Sequence, residues 1–212
     1  MAGKRETKEE KLHRLTEIER GLWDDGYAIA GIDEVGRGPL AGPVVTACVC
    51  IPRDELVPGV DDSKKLSEKR REQLFPLLIE AADYAETCFL GPEVIDEINI
   101  LNATKRAMET CAAGFQHGIF LIDAVKDLRL PGPARSLVHG DALSYMIGAA
   151  SIVAKVTRDR YMIELDEKYP MYGFSRNKGY GTAEHIAALK KYGPCPEHRH
   201  SFIGKILGAD HE

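Results

Sequence analysis

The sequence predicts an α/β fold: a mixed β-sheet with helices on its faces and a helical C-terminal third beside it. Two observations lead there. Apolar, valine-rich runs of strand length come in succession near the start of the chain, and after them strand-like runs alternate with segments of helical periodicity. Residues 1–212 are expected to form a single domain, with residues 1–24 as an N-terminal helical segment and about 170–212 as a C-terminal helical extension.

The elements follow in order. Residues 7–23 carry Leu12, Leu15, Ile18 and Leu22 at helical spacing, which predicts one amphipathic helix. Residues 27–32 form a short apolar strand. Residues 43–51 form a second, with Pro43 acceptable only at its start. Ser67 caps a helix running to about Ala82, with Leu74, Leu77 and Leu78 on its apolar side. A third strand covers residues 84–90. Pro92 opens a short helix, and Asn102 is expected to cap another running to about His117. Residues 119–123 are a fourth strand and 136–140 a brief fifth. A long helix spans roughly residues 143–168, and Thr182 caps a last clear helix to Tyr192.

Composition limits the function classes. Apolar residues make up 44% and charged residues 29%, a globular balance. No apolar run reaches bilayer-spanning length, so no membrane partner is expected. The first residues, MAGKRETKEEKLHR, lack the apolar stretch of a secretory signal, so a cytoplasmic location is the expectation. The five cysteines show no zinc-finger spacing. Cys48 and Cys50, two apart in a strand, should share one face as small hydrophobes. Cys195, His198 and His200 offer at most a partial zinc site, and a Pro-rich surface turn is the simpler expectation. The net charge of −5 argues mildly against a nucleic-acid partner. Locally, however, Lys64, Lys65, Lys69, Arg70 and Arg71 crowd one stretch, either as a solvated helix face or as a phosphate-binding patch.

Carboxylates at strand ends carry the chemistry. Asp33 and Glu34 stand at the end of the first strand, Asp123 ends the fourth, and Asp141 follows the fifth. In α/β sheets functional groups gather at such ends. Two carboxylates about 4 Å apart repel by about 4 kcal/mol at an effective dielectric near 20, so a cluster of four needs cations. Hard divalent ions with oxygen ligands suit it: Mg2+ or Mn2+, two of them ~3.5–4 Å apart in the phosphodiester-cleaving arrangement. Asp159 would lie about 27 Å along a continuous helix from Asp141 and is expected to pair with Arg158 or Arg160 instead.

Gly36-Arg37-Gly38-Pro39-Leu40-Ala41 has the spacing of a dinucleotide fingerprint, but a strand rather than a helix follows it, which removes that reading. The glycines still permit a close approach of backbone to ligand, and Arg37 brings donors near an acidic site.

From Asp33 to Pro43 the chain resembles the signature of ribonuclease HII, the bacterial type 2 ribonuclease H family. Further blocks agree in order: Asp62-Ser63-Lys64-Lys65-Leu66, Ile122-Asp123-Ala124, Gly140-Asp141-Ala142, the run from Ala149 to Asp159, and Asn177-Lys178-Gly179-Tyr180-Gly181-Thr182. The resemblance covers residues from about 15 to about 206. It implies a ribonuclease H-like mixed sheet whose first three strands are antiparallel. It implies metal binding and catalysis by Asp33, Glu34, Asp123 and Asp141. It implies that Gly36, Arg37 and Gly38 read the ribonucleotide 2′-hydroxyl, that Tyr180 stacks on the next sugar, and that Ser63 and Lys64 contact phosphate. The implied partners are RNA–DNA hybrids and ribonucleotide-containing duplex DNA, cut by a monomer to leave 5′-phosphate and 3′-hydroxyl ends.

Three rivals are weaker. A type 3 enzyme usually carries lysine where Arg37 stands. A junction-resolving nuclease would not need the glycine–arginine–glycine loop or Tyr180. A non-catalytic hybrid-binding module would be expected to lack one of the four acids. Residues 208–212 are short and polar, with no clear clamp-binding peptide.

Overall fold

A computed structural model describes residues 6–208 of the chain. The ends of the N-terminal segment and of the C-terminal tail, residues 1–5 and 209–212, lie outside the described residues.

The chain opens with α1 (Lys8–Leu15) and α2 (Glu17–Asp24), two helices where the leucine spacing predicted one. The break falls at Thr16, whose hydroxyl donates back to the Leu12 carbonyl at 2.9 Å, a local bond that competes with helix continuation. Next come β1 (Ala28–Val35), β2 (Val44–Cys50), α3 (Glu68–Ala81) and β3 (Tyr84–Leu90). Ser67 caps α3 by accepting from the Arg70 N–H, worth about 1 kcal/mol.

The expected pair of helices after β3 is found as the two halves of α4 (Pro92–Ala112), joined across a kink. Its break is at Asn99, not at the anticipated Asn102. Asn99 has φ 64° and ψ 164°. Its side-chain oxygen accepts from the N–H groups of Leu101 and Asn102 and so caps the second half.

The chain continues through β4 (Gly118–Asp123), β5 (Ala134–Leu137), α5 (Gly140–Leu143), α6 (Tyr145–Lys168), α7 (Phe174–Asn177), α8 (Ala183–Tyr192) and α9 (His200–Leu207). The fifth strand ends earlier than expected, so Asp141 lies in the short helix α5 rather than directly after a strand. Ser144 caps α6 by accepting from the Ile147 N–H, and Thr182 caps α8 as anticipated.

Among the described residues the five strands form one sheet in the order β3-β2-β1-β4-β5. The β3-β2-β1 pairings are antiparallel, and β4 and β5 join parallel to β1. Side-chain alternation along β1 separates two cores. Ile29 packs with the α6 residues Met146, Ala149, Ala150 and Val153, whereas Ala30 and Ile32 pack with Cys48, Cys50, Met108 and Phe120 on the α4 side. The shared face of Cys48 and Cys50 is thus observed.

Gly31 fixes the depth of α6. A Cβ there would sit 2.1 Å from the Met146 carbonyl carbon, so only glycine lets the start of α6 lie directly on β1. The neighbouring α5, which carries Asp141, packs on α6 and on β4. No helix of the described residues is long and apolar enough to cross a membrane.

Candidate active site

The last pair of the parallel β1–β4 ladder is Ile32 with Ile122. One residue further on, each strand presents an acid: Asp33 on β1 and Asp123 on β4. The Asp123 carboxylate accepts from the Gly140 N–H at 2.8 Å, which ties β4 to the start of α5, where Asp141 is the next residue. Glu34 follows Asp33 and donates its own N–H to the Asp33 carboxylate at 2.8 Å. Two non-glycine residues beside the acids, Ala124 (φ 50°) and His139 (φ 58°), adopt left-handed backbone, an uncommon conformation that turns the chain sharply at each point.

Electrostatics join the four acids. Asp33 is pushed well above the ordinary carboxylate range, chiefly by burial and then by the charge of Glu34, with Asp123 adding to it. A hydrogen bond from Ser151 works against that shift. Burial also raises Glu34, opposed by the Arg37 guanidinium 3.4 Å away and reinforced by Asp123. Asp141 is raised by burial, then by Asp62 and Asp123, against the Lys64 ammonium. Each of these three groups therefore resists ionisation in the protein alone.

The donor set fits a hard divalent cation. All the candidate ligand atoms are carboxylate oxygens, and Glu34 Oε2 is buried without a protein hydrogen-bond partner. Among the described residues no three acidic, histidine or cysteine side chains enclose a cation by themselves.

The expected substrate residues border this site. Arg37 is about half exposed at the loop after β1. The Tyr180 ring lies 3.9 Å from where a Cβ on Gly38 would stand. The two loops are joined by the N–H groups of Leu40 and Ala41, which donate to the Gly179 carbonyl at 2.8 and 3.3 Å. Lys64 is exposed and reaches Asp141 at 3.3 Å. Ser63, by contrast, is buried, and its hydroxyl lies 2.8 Å from that of Ser151. Its side chain thus stands behind Asp33, at the inner side of the Lys64 turn.

Other expectations need correction. Asp159 pairs with Lys155 at 2.7 Å and Arg71 at 3.6 Å, not with Arg158 or Arg160. Arg71 therefore belongs to the interior rather than to a surface patch, and it also donates to the Ser63 and Leu66 carbonyls. Cys195 and His198 are buried rather than on a surface turn, and His200 makes no common site with them. Instead His185 and His198 face each other, Nε2 to Nε2, at 3.0 Å. His185 Nδ1 meets the Tyr180 carbonyl at 2.9 Å, which can only accept, so Nδ1 carries that ring's proton. His185 Nε2 must then accept from His198 Nε2, and His198 Nδ1 accepts from the Cys195 N–H at 3.0 Å. Both rings are neutral, and their chain of bonds ends on the backbone of Tyr180.

Sequence reasoning missed Asp62 and Ser151. Both lie inside blocks it had singled out, but as neighbours of the expected residues rather than as members of the acid set.

A family model described as ribonuclease HII matches residues 30–205 of the chain. The chain belongs to the ribonuclease HII family. A ribonuclease HII of Acetivibrio thermocellus is 52% identical over 205 residues, covering 94% of this chain and 80% of that protein. One from Caldicellulosiruptor bescii is 48% identical over 194 residues, covering 90% and 94%. Among solved structures, the ribonuclease H2 of Pyrococcus horikoshii OT3 superposes with a TM-score of 0.71 at 29% identity, covering 85% of this chain and 97% of that one. The ribonuclease H-like fold and the enzyme class are established by these relationships: the chain is a ribonuclease H. Of the matched span, Asp33 lies near its start, and Arg199, near its end, folds back onto the loop that follows Asp33.

Proposed function

We propose that this ribonuclease HII hydrolyses the RNA strand of RNA–DNA hybrids and also cuts duplex DNA on the 5′ side of single embedded ribonucleotides, leaving 5′-phosphate and 3′-hydroxyl ends. The observation that carries this reading is the adjacency of the acid cluster to the Gly36-Arg37-Gly38 loop with the Tyr180 ring against it. A nuclease indifferent to the sugar has no need of that loop. The 2′-hydroxyl is the group that separates RNA from DNA at a given position, and glycine-flanked backbone can come close enough to test for it.

Asp33, Glu34, Asp123 and Asp141 would hold the metal, Mg2+ or Mn2+, as two divalent ions during turnover. Bound there, the ions would neutralise the acids and the developing phosphate charge and acidify a water. The chain's own residues do the rest. Ser151 and the Glu34 N–H orient the Asp33 carboxylate, and the Gly140 N–H orients that of Asp123. Lys64 and Arg37 draw the phosphodiester backbone to an otherwise negative surface. Tyr180 offers a half-exposed ring for stacking on a sugar. Such an activity would serve the removal of ribonucleotides from DNA and of RNA primers, by a monomer in the cytoplasm.

The test is cleavage of a DNA duplex holding one ribonucleotide, beside an all-DNA duplex and a long hybrid, with and without Mg2+. The expected result is one metal-dependent cut 5′ of the ribonucleotide and none in the all-DNA duplex. Cleavage of the all-DNA duplex at a similar rate would overturn the reading.

A further inference from the structure

The loop that borders the acids is held from behind by two arginines, Arg199 and Arg158. Arg199, at the start of α9, is completely buried. Its Nη2 donates to the Gly36 carbonyl at 2.6 Å and to the Gly42 carbonyl at 2.8 Å, its Nε to Gly42 at 3.0 Å, and its Nη1 to the Arg37 carbonyl at 3.0 Å. Its backbone N–H donates to the Leu40 carbonyl at 2.9 Å. Arg158 of α6, equally buried, donates to the carbonyls of Pro43 at 2.9 Å, Ala41 at 3.2 Å and Lys178 at 2.9 Å. Among the described residues neither guanidinium forms an ion pair with a carboxylate. Burial depresses both, Arg199 to about 9 and Arg158 to about 10.

Two buried cations without counter-ions are a costly arrangement, and a hydrophobic pair would pack the same space more cheaply. What they achieve is specific to the loop's backbone. A trans peptide points its C=O and the following N–H in opposite directions. With the Gly36 and Arg37 carbonyls fixed on the Arg199 guanidinium, the N–H groups of Arg37 and Gly38 must point away from it. Neither of those N–H groups has an acceptor among the described residues. Gly36 is part of the same device. It has φ +90°, and a Cβ on it would lie 2.3 Å from Arg158 Nε.

We infer that Arg199 is a positioning residue for ribonucleotide recognition. By gripping the Gly36 and Arg37 carbonyls it presets the Arg37 and Gly38 N–H groups as outward donors for the sugar hydroxyl. Lysine cannot substitute, because one ammonium cannot span three carbonyls as a planar fork does. Arg199 touches no substrate and acts only through the loop. This inference rests on the function proposed above.

The experiment uses the full chain carrying Arg199→Lys or Arg199→Ala, assayed on a DNA duplex with one ribonucleotide. Melting curves are recorded alongside. Arg199→Lys is expected to stay folded and to keep a near-normal KM, since phosphate contacts lie elsewhere, while kcat falls about tenfold or more from the misplaced loop. Millimolar guanidinium ion should restore part of the Arg199→Ala activity, whereas ammonium at the same concentration should not. A wild-type kcat in Arg199→Lys overturns the inference. So does an Arg199→Ala defect that follows only the folded fraction and ignores guanidinium. Collapse of both variants' melting transitions also overturns it, because the residue would then be holding the fold rather than the loop. Wild-type protein that fails to cut at the ribonucleotide is a different outcome, and it overturns the proposed function itself.

Discussion

The Lys64 ammonium lies 3.3 Å from the Asp141 carboxylate, across 77 residues of sequence. The lysine side chain is 80% exposed, so the pair contributes at most about 1 kcal/mol to stability. Its value lies in where it puts a positive charge: at the rim of a negative site that must receive a polyanion. Lys64→Gln should therefore raise KM for a ribonucleotide-containing duplex by several-fold and leave kcat near normal. The slope of log affinity against log salt should fall by about one, the share of a single phosphate contact. A salt titration of the variant beside the wild type checks this, and an unchanged slope removes Lys64 from phosphate binding.

Asp33 is buried, and burial together with the charge of Glu34 shifts its carboxyl upward. A carboxyl whose pKa is raised by folding binds more protons in the native state than in the unfolded one. It therefore weakens the metal-free protein as pH rises through the window above its ordinary value near 4. Asp33→Asn should accordingly melt at a higher temperature than the wild type at pH 7 without metal. Cleavage should drop more than about a hundredfold, beyond the effect of losing an outer-shell partner. Hybrid binding should persist. Calorimetry, a gel-shift assay and a cleavage assay on one preparation decide the matter, and unimpaired turnover would count against Asp33 as a ligand.

Arg37 holds Glu34 from an exposed position while its backbone is fixed from below. Removing its side chain leaves the loop's carbonyl contacts in place. Arg37→Ala should slow cutting at a single embedded ribonucleotide by roughly 10- to 150-fold, the worth of one charge-assisted hydrogen bond of about 1.5–3 kcal/mol. Fold stability should change little. Single-turnover rates on that substrate are the measurement, and an unchanged rate would take the side chain out of recognition.

The neutral His185–His198 pair gives the C-terminal part of the fold an acid limit. Burial, and then the neighbouring His185, lowers His198 to about 4. A histidine whose pKa is lowered on folding binds fewer protons in the native state. Its stabilising contribution is complete above its ordinary value near 6.5 and is lost as pH falls through the window toward 4. The gap in melting temperature between the wild type and His198→Gln should therefore shrink as pH drops from 7.5 to 5. A gap that stays constant or widens would show that the imidazole does not titrate in that window.

Much of this fold was readable where its cause is local. Ser67 and Thr182 cap the helices they were expected to cap, and the third strand runs over the anticipated residues. Asp33 and Asp123 fall near strand ends, where apolar runs placed them, whereas Asp141 falls in α5. The misses have a common character. Asn99 rather than Asn102 breaks α4, since either side chain can cap and only the packing of both halves decides. The partners of Asp159 come from α3 and from a lysine one turn earlier, where the nearest arginines in sequence had been expected. Arg199 and Arg158 satisfy backbone carbonyls far away in sequence, and a bond to a carbonyl leaves no trace in the identity of the residue that supplies it.

Titration of Mn2+ into the metal-free chain by calorimetry tests the central claim most directly, with wild type beside Asp33→Asn, Glu34→Gln, Asp123→Asn and Asp141→Asn. If the four acids share one site, the wild type binds and each single variant loses affinity by about tenfold or more. Wild-type affinity retained in any one of the four variants would contradict a shared site that includes that residue.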